Sequence, residues 1–192
     1  SDNHPEVATT LIHNQRYQQT RNACSLLLAR PAFDGDDVLL LDGDILYERE
    51  IMRRMLVPDA PTNALVVRRS NHLGEEEIKV RVDGGGRIRD IGKHLSPAEC
   101  FGESIGIAKF DRRTTALLFQ ALEHRIHVMG MSSEFYEASF QQLIDEGTEI
   151  EMVETGGCAC MEIDTLDDLE AAERVIAPVV DRVIERMELL GE

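Results

Sequence analysis

The chain contains 192 residues, a length typical of one domain with a sizeable core. Its 36 acidic and 20 basic residues give a formal net charge of −16, so no basic surface is available in bulk to neutralise nucleic-acid phosphates. The sequence shows no signal peptide and no apolar run of membrane-spanning length. We therefore expect a soluble, cytoplasmic protein with neither nucleic-acid nor membrane partners.

The first predicted elements are a strand over 7–12, a polar loop, and a helix for which Asn22 is a good N-cap residue. The four aliphatic residues 38–41 then predict a strand that is buried on both faces, as in a parallel sheet covered by helices. This run ends in Asp42-Gly43-Asp44. Carboxylates at the carboxyl end of a strand suit a hard cation such as Mg²⁺, although the same residues also suit an acidic turn.

The middle of the chain combines two kinds of pattern. Helices are predicted over 48–56, 112–124 and 134–146, and apolar strands over 63–68, 102–110 and 149–153. Strict alternation over 77–82, the turn Asp83-Gly84-Gly85-Gly86 and a return over 87–91 predict an antiparallel hairpin. We therefore expect an α/β fold, a three-layer sandwich with a mixed, mainly parallel sheet and a β-hairpin insertion.

The last informative stretch is Glu162-Ile163-Asp164-Thr165. Alternation along a strand places Glu162 and Asp164 on one face. Thr165 and Asp168 have the spacing of a capping box, which predicts a C-terminal helical segment over 166–191 with a kink at Pro178. The apolar face of that segment can also pack against a second copy, so a homo-oligomer is one expectation.

Three of these motifs together resemble a known family. Asn14, Tyr17, Asn22, Ser25 and Leu26 form the pattern N-x-x-Y-x-x-x-x-N-x-x-S-L, which is followed by the Asp-Gly-Asp and Glu-Ile-Asp-Thr motifs. The set resembles the nucleotidyltransferases that activate sugar phosphates, and within them the branch of bacterial choline-phosphate cytidylyltransferases. Weaker matches are Ile91-Gly92-Lys93, the segment 102–107 and Phe135-Tyr136-Glu137.

One feature of that family has no counterpart in this sequence. The family opens with a strand and a glycine-rich G-x-G-x-R loop, followed by Pro-Lys, which together hold the triphosphate. The glycine cluster of this chain, Gly84-Gly85-Gly86, belongs instead to the predicted hairpin. We therefore expect residues 1–192 to form a single nucleotidyltransferase-like domain that is truncated at its N-terminus relative to the family.

The resemblance implies a reaction and a set of site residues. The reaction is the Mg²⁺-dependent transfer of a nucleotidyl group, most simply from CTP, to a small phosphorylated acceptor, with release of pyrophosphate. The implied residues are Asp44, Glu162 and Asp164 for the metal, Asp44, Asp164 and Lys93 for catalysis, Asn22, Ser25 and Asp42 for the nucleotide, and Glu103, Tyr136 and Glu137 for the acceptor. In this set Lys93 contacts the phosphate of the acceptor.

Each assignment has a structural alternative. Asp42 also suits a turn, Asp164 a helix N-terminus, Asn22 and Ser25 helix capping, and Glu162 and Lys93 a solvated surface. Asp42-Gly43-Asp44 is also a D-x-D motif of metal-dependent glycosyltransferases, which release a nucleoside diphosphate. A non-catalytic nucleotidyltransferase-like module that binds or regulates a partner is the third hypothesis.

Overall fold

The computed structural model describes residues 8–33 and 35–176 of the chain. The helices are α1 Asn22–Leu28, α2 Arg30–Phe33, α3 Arg49–Leu56, α4 Arg112–Glu123, α5 Glu137–Asp145 and α6 Leu166–Val175, with a 3₁₀ turn over Pro97–Glu99 and a π-helical turn over His124–Val128. The strands are β1 Val38–Leu41, β2 Ile45–Tyr47, β3 Ala64–Arg69, β4 Lys79–Val82, β5 Ile88–Gly92, β6 Gly102–Phe110, β7 Glu151–Glu154 and β8 Cys160–Glu162. The α/β class is confirmed.

The main sheet has six strands in the order β5-β4-β6-β3-β7, with β1 also paired to β6. Strands β3 and β7 are parallel, whereas β1, β3 and β4 pair with β6 in the antiparallel sense and β4 pairs antiparallel with β5. The mixed sheet and the hairpin insertion at β4–β5 are confirmed, but the expectation of a mainly parallel sheet is wrong. Apolar runs report burial of a strand and carry no information about its direction.

Two strand predictions near the N-terminal end are also corrected. Residues 8–14 form no strand, and Leu11 is 92% exposed, because no strand of the described chain pairs with this segment. Strand β1 buries one face only: Val38 is buried, whereas Leu39 and Leu41 are 36% and 37% exposed. The strand that is buried on both faces is β3, whose residues alternate between two hydrophobic clusters.

A hydrophobic cluster lies on each face of the sheet. One cluster joins Leu65 and Val67 of β3 to residues of α1, α4 and α5, and its aromatic centre is Phe140, whose ring lies 5.0 Å from Phe110 and 5.1 Å from Tyr136. The other joins Ala64 and Val66 to helix α3 and to Cys160 of β8. Close packing on both faces fixes the strand ends to which the polar residues are attached.

A gap along one edge of β6 positions the functional cleft. Strand β1 pairs with residues 107–110 of β6, and β4 pairs with residues 102–103 of the same edge. Strand β1 therefore ends, and β4 begins, on either side of residues 104–106. Two backbone hydrogen bonds flank the gap, from Asp42 N–H to the Gly106 carbonyl at 2.9 Å and from Ser104 N–H to the Ile78 carbonyl at 2.8 Å.

Helix α6 begins as the sequence predicts. The Thr165 side chain accepts from the Asp168 N–H, and the Asp168 carboxylate accepts from the Thr165 N–H, so the capping box is confirmed. The rest of the predicted helical segment, including Pro178, lies outside the described residues. Among the helices that the structure describes, none is long and apolar enough to cross a membrane.

Candidate active site

A cleft of about 720 Å³ opens beside the gap in the β6 edge. Its lining includes eight carboxylate side chains, from Asp and Glu, and the two cations Arg21 and Lys93, so we call it the acidic cleft. Nine of the ten predicted site residues line it: Asn22, Ser25, Asp42, Asp44, Lys93, Glu103, Glu137, Glu162 and Asp164. The structure therefore brings residues from both ends of the sequence to one place, while their roles stay predictions.

Asp42 is the first carboxylate after β1, and it is held from two sides. The Tyr136 hydroxyl donates a hydrogen bond to the Asp42 carboxylate, with both carboxylate oxygens at 2.8 Å. Gly106 lies against the same side chain at φ +72°, where an added Cβ would meet Asp42 Oδ2 at 2.5 Å. Burial raises the pKa of Asp42, and the Tyr136 hydrogen bond offsets part of that rise. The Asp42 side chain is thus held in one position at the edge of the cleft.

Two short strands bring the early and late acidic motifs together. Strands β2 and β8 are antiparallel, with Ile45 opposite Glu162, and the Ile163 N–H donates to the Asp44 carbonyl at 2.8 Å. This pairing places the segments 42–44 and 162–164 side by side. Burial raises the pKa of Glu162, and the nearby charges of Asp164, Asp44 and Asp42 raise it further. The clustered carboxylates repel one another, and a bound cation would relieve that repulsion.

The fit of Mg²⁺ to these carboxylates depends on what else ligates it. Within residues 8–33 and 35–176, no three His, Cys, Asp or Glu side chains converge closely enough to hold a metal ion by themselves. Protein Mg²⁺ sites commonly use one or two carboxylates together with substrate phosphates and water. The donor set fits a cation of that kind, which is completed by a substrate, and does not fit an all-protein cage.

Glu103 and Lys93 face the cleft from the hairpin side, and each has a partner. Arg68 donates from Nε to Glu103 Oε1 at 3.1 Å, and from Nη1 to the Cys160 carbonyl at 3.0 Å, so it links β3, β6 and β8. Lys93 Nζ lies 2.8 Å from Glu76 Oε2 and 4.8 Å from the centre of the Phe135 ring. Lys93 is thus one of the two positive charges in the acidic cleft, together with Arg21.

Tyr136 and Glu137 begin α5, and only the second of them lines the cleft. Tyr136 is 3% exposed, and its hydroxyl donates a hydrogen bond to Asp42, so Tyr136 is buried beneath Asp42 and does not line the cleft. Glu137 is 6% exposed, and its Oε2 atom has no hydrogen-bond partner. Burial, with a further contribution from Asp42, raises the pKa of Glu137 to about 7. A buried carboxyl oxygen without a partner is costly unless a bound molecule satisfies it.

The comparisons with known proteins agree with this geometry at the level of fold. No family model matches the sequence, and no curated protein matches it. Solved structures do match: an inositol-1-phosphate CTP transferase from T. maritima has a TM-score of 0.68 at 21% identity, covering 86% of this chain and 64% of that one. A CTP:phosphocholine cytidylyltransferase from Streptococcus pneumoniae has a TM-score of 0.70 at 17% identity, covering 91% and 72%.

The chain has the nucleotidyltransferase fold. A third structure, from Bacillus anthracis and provisionally assigned as a glucose-1-phosphate thymidylyltransferase, agrees with a TM-score of 0.64 at 13% identity, covering 87% of this chain and 64% of that one. The chain therefore spans about two thirds of the length of these neighbours. The resemblance that the motifs indicate is confirmed for the fold.

In this nucleotidyltransferase fold, the two asparagines of the N-x-x-Y motif make side-chain hydrogen bonds that connect separate segments of the chain. Asn14 Nδ2 donates to the hydroxyls of Ser25 and Thr20, each at 3.0 Å. The Asn22 side-chain oxygen accepts from the Tyr136 N–H at 3.0 Å. The N-cap of α1 is Arg21, without a side-chain capping bond, so the prediction that Asn22 caps this helix is wrong. Asn22 instead ties α1 to the start of α5.

Several cleft residues are not anticipated by the sequence. They are Thr20, Arg21, Glu76, Glu77 and Ile78, which line the acidic cleft together with Tyr17, Ser104 and Phe135 of the family motifs. Arg21 lies directly before Asn22, yet an arginine in a polar loop gives no signal of its own. Glu76 and Glu77 belong to an acidic run that is most simply interpreted as a solvated surface.

Proposed function

We propose that the protein transfers a nucleotidyl group from a nucleoside triphosphate, CTP in the first instance, to a small phosphorylated acceptor and releases pyrophosphate. The observation that carries the proposal is the meeting of two acidic motifs, 42–44 and 162–164, in a cleft that Lys93 also lines, within a nucleotidyltransferase fold. Carboxylates alone would repel two phosphorylated substrates. A cleft that combines a cation site with a lysine can accept both.

In the proposed reaction, a phosphate oxygen of the acceptor attacks the α-phosphorus of the nucleotide. A new phosphorus–oxygen bond forms to the acceptor, and the bond between the α-phosphorus and the bridging oxygen to the β-phosphorus breaks. The electron pair leaves with pyrophosphate. Such a transfer needs little covalent participation by the protein, and alignment and charge neutralisation provide most of the catalysis.

Mg²⁺ is part of this proposal. Asp44 and Asp164, with Glu162 beside them, would hold the ion, which when bound neutralises phosphate charge and orients the phosphates. Support for this assignment comes from the β2–β8 pairing, which places these carboxylates side by side. Burial first, and then the charges of Asp164 and Asp44, raise the pKa of Glu162. Asp44 and Asp164 are therefore the residues whose loss should reduce transfer most.

The remaining roles follow the resemblance to the family, and the presence of these side chains in one cleft supports them. Lys93 binds the acceptor phosphate, and Glu103 and Glu137 bind the rest of the acceptor. Asn22, Ser25 and Asp42 bind the nucleotide. Tyr136 is buried and hydrogen-bonded to Asp42, which supports a positioning role for it in place of direct contact with the acceptor. A cytoplasmic location and a homo-oligomer stay predictions.

A pyrophosphate-release assay tests the proposal. The complete encoded polypeptide is incubated with Mg²⁺, each of the common nucleoside triphosphates, and a panel of phosphorylated alcohols and sugars. We expect release that requires an acceptor. Asp44→Asn and Asp164→Asn should each reduce kcat/KM by at least about 100-fold, as expected for residues that neutralise transition-state charge. Asp59→Asn, at an exposed position outside the cleft, is the matched control and should be unchanged.

Other outcomes would contradict the proposal in identifiable ways. Release of a nucleoside diphosphate from a nucleotide sugar would indicate a glycosyltransferase. Failure of the complete polypeptide to bind any Mg²⁺–nucleotide would indicate the non-catalytic module. Full activity of the Asp44→Asn and Asp164→Asn variants would show that the metal assignment is wrong.

A further inference from the structure

Two cations of the acidic cleft converge on one aromatic ring. The guanidinium carbon of Arg21 lies 5.1 Å from the centre of the Phe135 ring, and Lys93 Nζ lies 4.8 Å from the same point. All three residues line the cleft. Two like charges thus contact the same ring in a chain with a net charge of −16, an arrangement that favours an anion beside them.

Arg21 is available to such an anion. In the part of the chain that the structure describes, no carboxylate lies within ion-pairing distance of its guanidinium, and the residue is exposed. Its backbone is fixed, because the Arg21 N–H donates to the Ser132 carbonyl at 3.3 Å. A guanidinium presents several N–H donors in one plane, which suits the oxygens of a phosphate.

Lys93 already has an anionic partner, and that partner is an exposed one. Glu76 is 92% exposed at its side chain and belongs to the loop that precedes β4, yet it pairs with Lys93 at 2.8 Å. Lys93 lowers the pKa of Glu76, and the nearby charges of Lys79 and Arg21 lower it further. An ion pair of this exposure is weak, so another anion can replace the carboxylate.

A buried lysine fixes the backbone on both sides of this pair. Lys79 is 2% exposed, and its Nζ donates to the Lys93 carbonyl at 2.6 Å and to the Glu77 carbonyl at 3.3 Å. It therefore holds the turn that presents Lys93 next to the loop that presents Glu76. The backbone that carries Lys93 and Glu76 is therefore fixed, whereas the two side chains that form the ion pair are flexible.

We propose that Arg21 and Lys93 together bind the phosphate of the acceptor and that Phe135 positions both cations. Before the acceptor binds, the Glu76 carboxylate pairs with Lys93, and the acceptor phosphate then replaces that carboxylate. The inference rests on the proposed function and extends it to a residue that the motifs do not indicate. A phosphate monoester carries about two negative charges near neutral pH, which two cations match. The phosphates of the triphosphate would instead be neutralised by the metal ion that the carboxylates of 42–44 and 162–164 would hold.

Steady-state kinetics separate the two substrates. Arg21→Gln should raise the KM for the acceptor about 10- to 100-fold, the effect of losing a hydrogen bond to a charged group, and leave the KM for the nucleotide within twofold. Arg21→Lys should restore part of the loss. Phe135→Leu should raise the acceptor KM about 2- to 5-fold, and Glu76→Gln should lower it about 2- to 5-fold.

A matched control is available outside the cleft. Arg69 lies 4.0 Å from the ring of Phe101 and pairs with Glu154, so it has the same chemistry as Arg21 without facing the cleft. Arg69→Gln should leave both KM values unchanged. A rise in the nucleotide KM with Arg21→Gln, or an acceptor KM that does not change, would overturn the inference.

Calorimetric titration measures binding of the anion directly, without any need for turnover. Glycerol 1-phosphate and inorganic phosphate are titrated into the wild-type protein, Arg21→Gln and Arg69→Gln. We expect binding to the wild type and to Arg69→Gln, and a loss of about tenfold or more in affinity for Arg21→Gln. If the wild type releases no pyrophosphate but this pattern appears, the proposed function fails and the anion site stands. If all three bind equally, or none binds, the anion site is wrong.

Discussion

The buried Glu137 predicts a pH dependence of stability that a single substitution can measure. Burial raises the pKa of this carboxyl from an ordinary value of 4.5 to about 7, and one carboxyl oxygen has no hydrogen-bond partner. Between these two values the folded protein binds a proton that the unfolded chain has lost. Stability therefore falls as the pH rises from about 4.5 to about 7, and the loss is complete above 7. At 1.36 kcal/mol per pKa unit, it amounts to about 3 kcal/mol.

Glu137→Gln removes the ionisation and keeps the shape of the side chain. We expect the free energy of unfolding of the variant, relative to the wild type, to increase by about 2.5 kcal/mol between pH 5 and pH 8, since part of the loss already occurs below pH 5. Urea unfolding at both pH values, in EDTA, gives the difference directly. Asp83→Asn is the control, because hydrogen bonds from Gly85 and Arg87 lower the pKa of Asp83, so its contribution is constant above pH 5. A Glu137→Gln difference that is equally constant would refute the argument.

Three further substitutions test the supports of the cleft by urea unfolding at pH 7. Tyr136→Phe removes the hydroxyl that donates to Asp42 and should cost about 1–3 kcal/mol, because the partly buried carboxylate loses its partner. Gly106→Ala forces a side chain into a left-handed conformation against Asp42 and should also cost about 1–3 kcal/mol. Thr165→Ala removes the cap of α6 and should cost about 1 kcal/mol. If the urea midpoint of a variant equals that of the wild type, the contact that the variant removes does not stabilise the protein.

The class of the fold follows from local patterns, but the sheet direction does not. The turn at 83–86 and its flanking alternation predict the β4–β5 hairpin correctly. The aliphatic run of β1 wrongly predicts burial on both faces, because Leu39 and Leu41 face away from the clusters of the described structure. Burial depends on which elements cover a strand, and pairing direction depends on its neighbours. Neither is encoded in the strand itself.

The same limit applies to the cleft. Asp42, Asp44, Glu162 and Asp164 are recognisable because their motifs have a distinctive spacing, and the β2–β8 pairing brings them together. The convergence of Arg21 and Lys93 on Phe135 depends instead on long-range packing among three separate segments. Tyr136 shows the reverse case. Its motif suggests a ligand contact, whereas its buried hydroxyl serves Asp42.

The fate of the α-phosphate of CTP tests the central proposal most directly. The complete encoded polypeptide is incubated with Mg²⁺, CTP labelled at the α-phosphorus, and the acceptor that gives the most pyrophosphate. We expect the label to appear in a new acceptor–nucleotide product that forms in a one-to-one ratio with pyrophosphate, and we expect Asp44→Asn to reduce its formation by at least about 100-fold. Label that stays in CTP with every acceptor, or an Asp44→Asn variant that makes as much product as the wild type, would contradict the account.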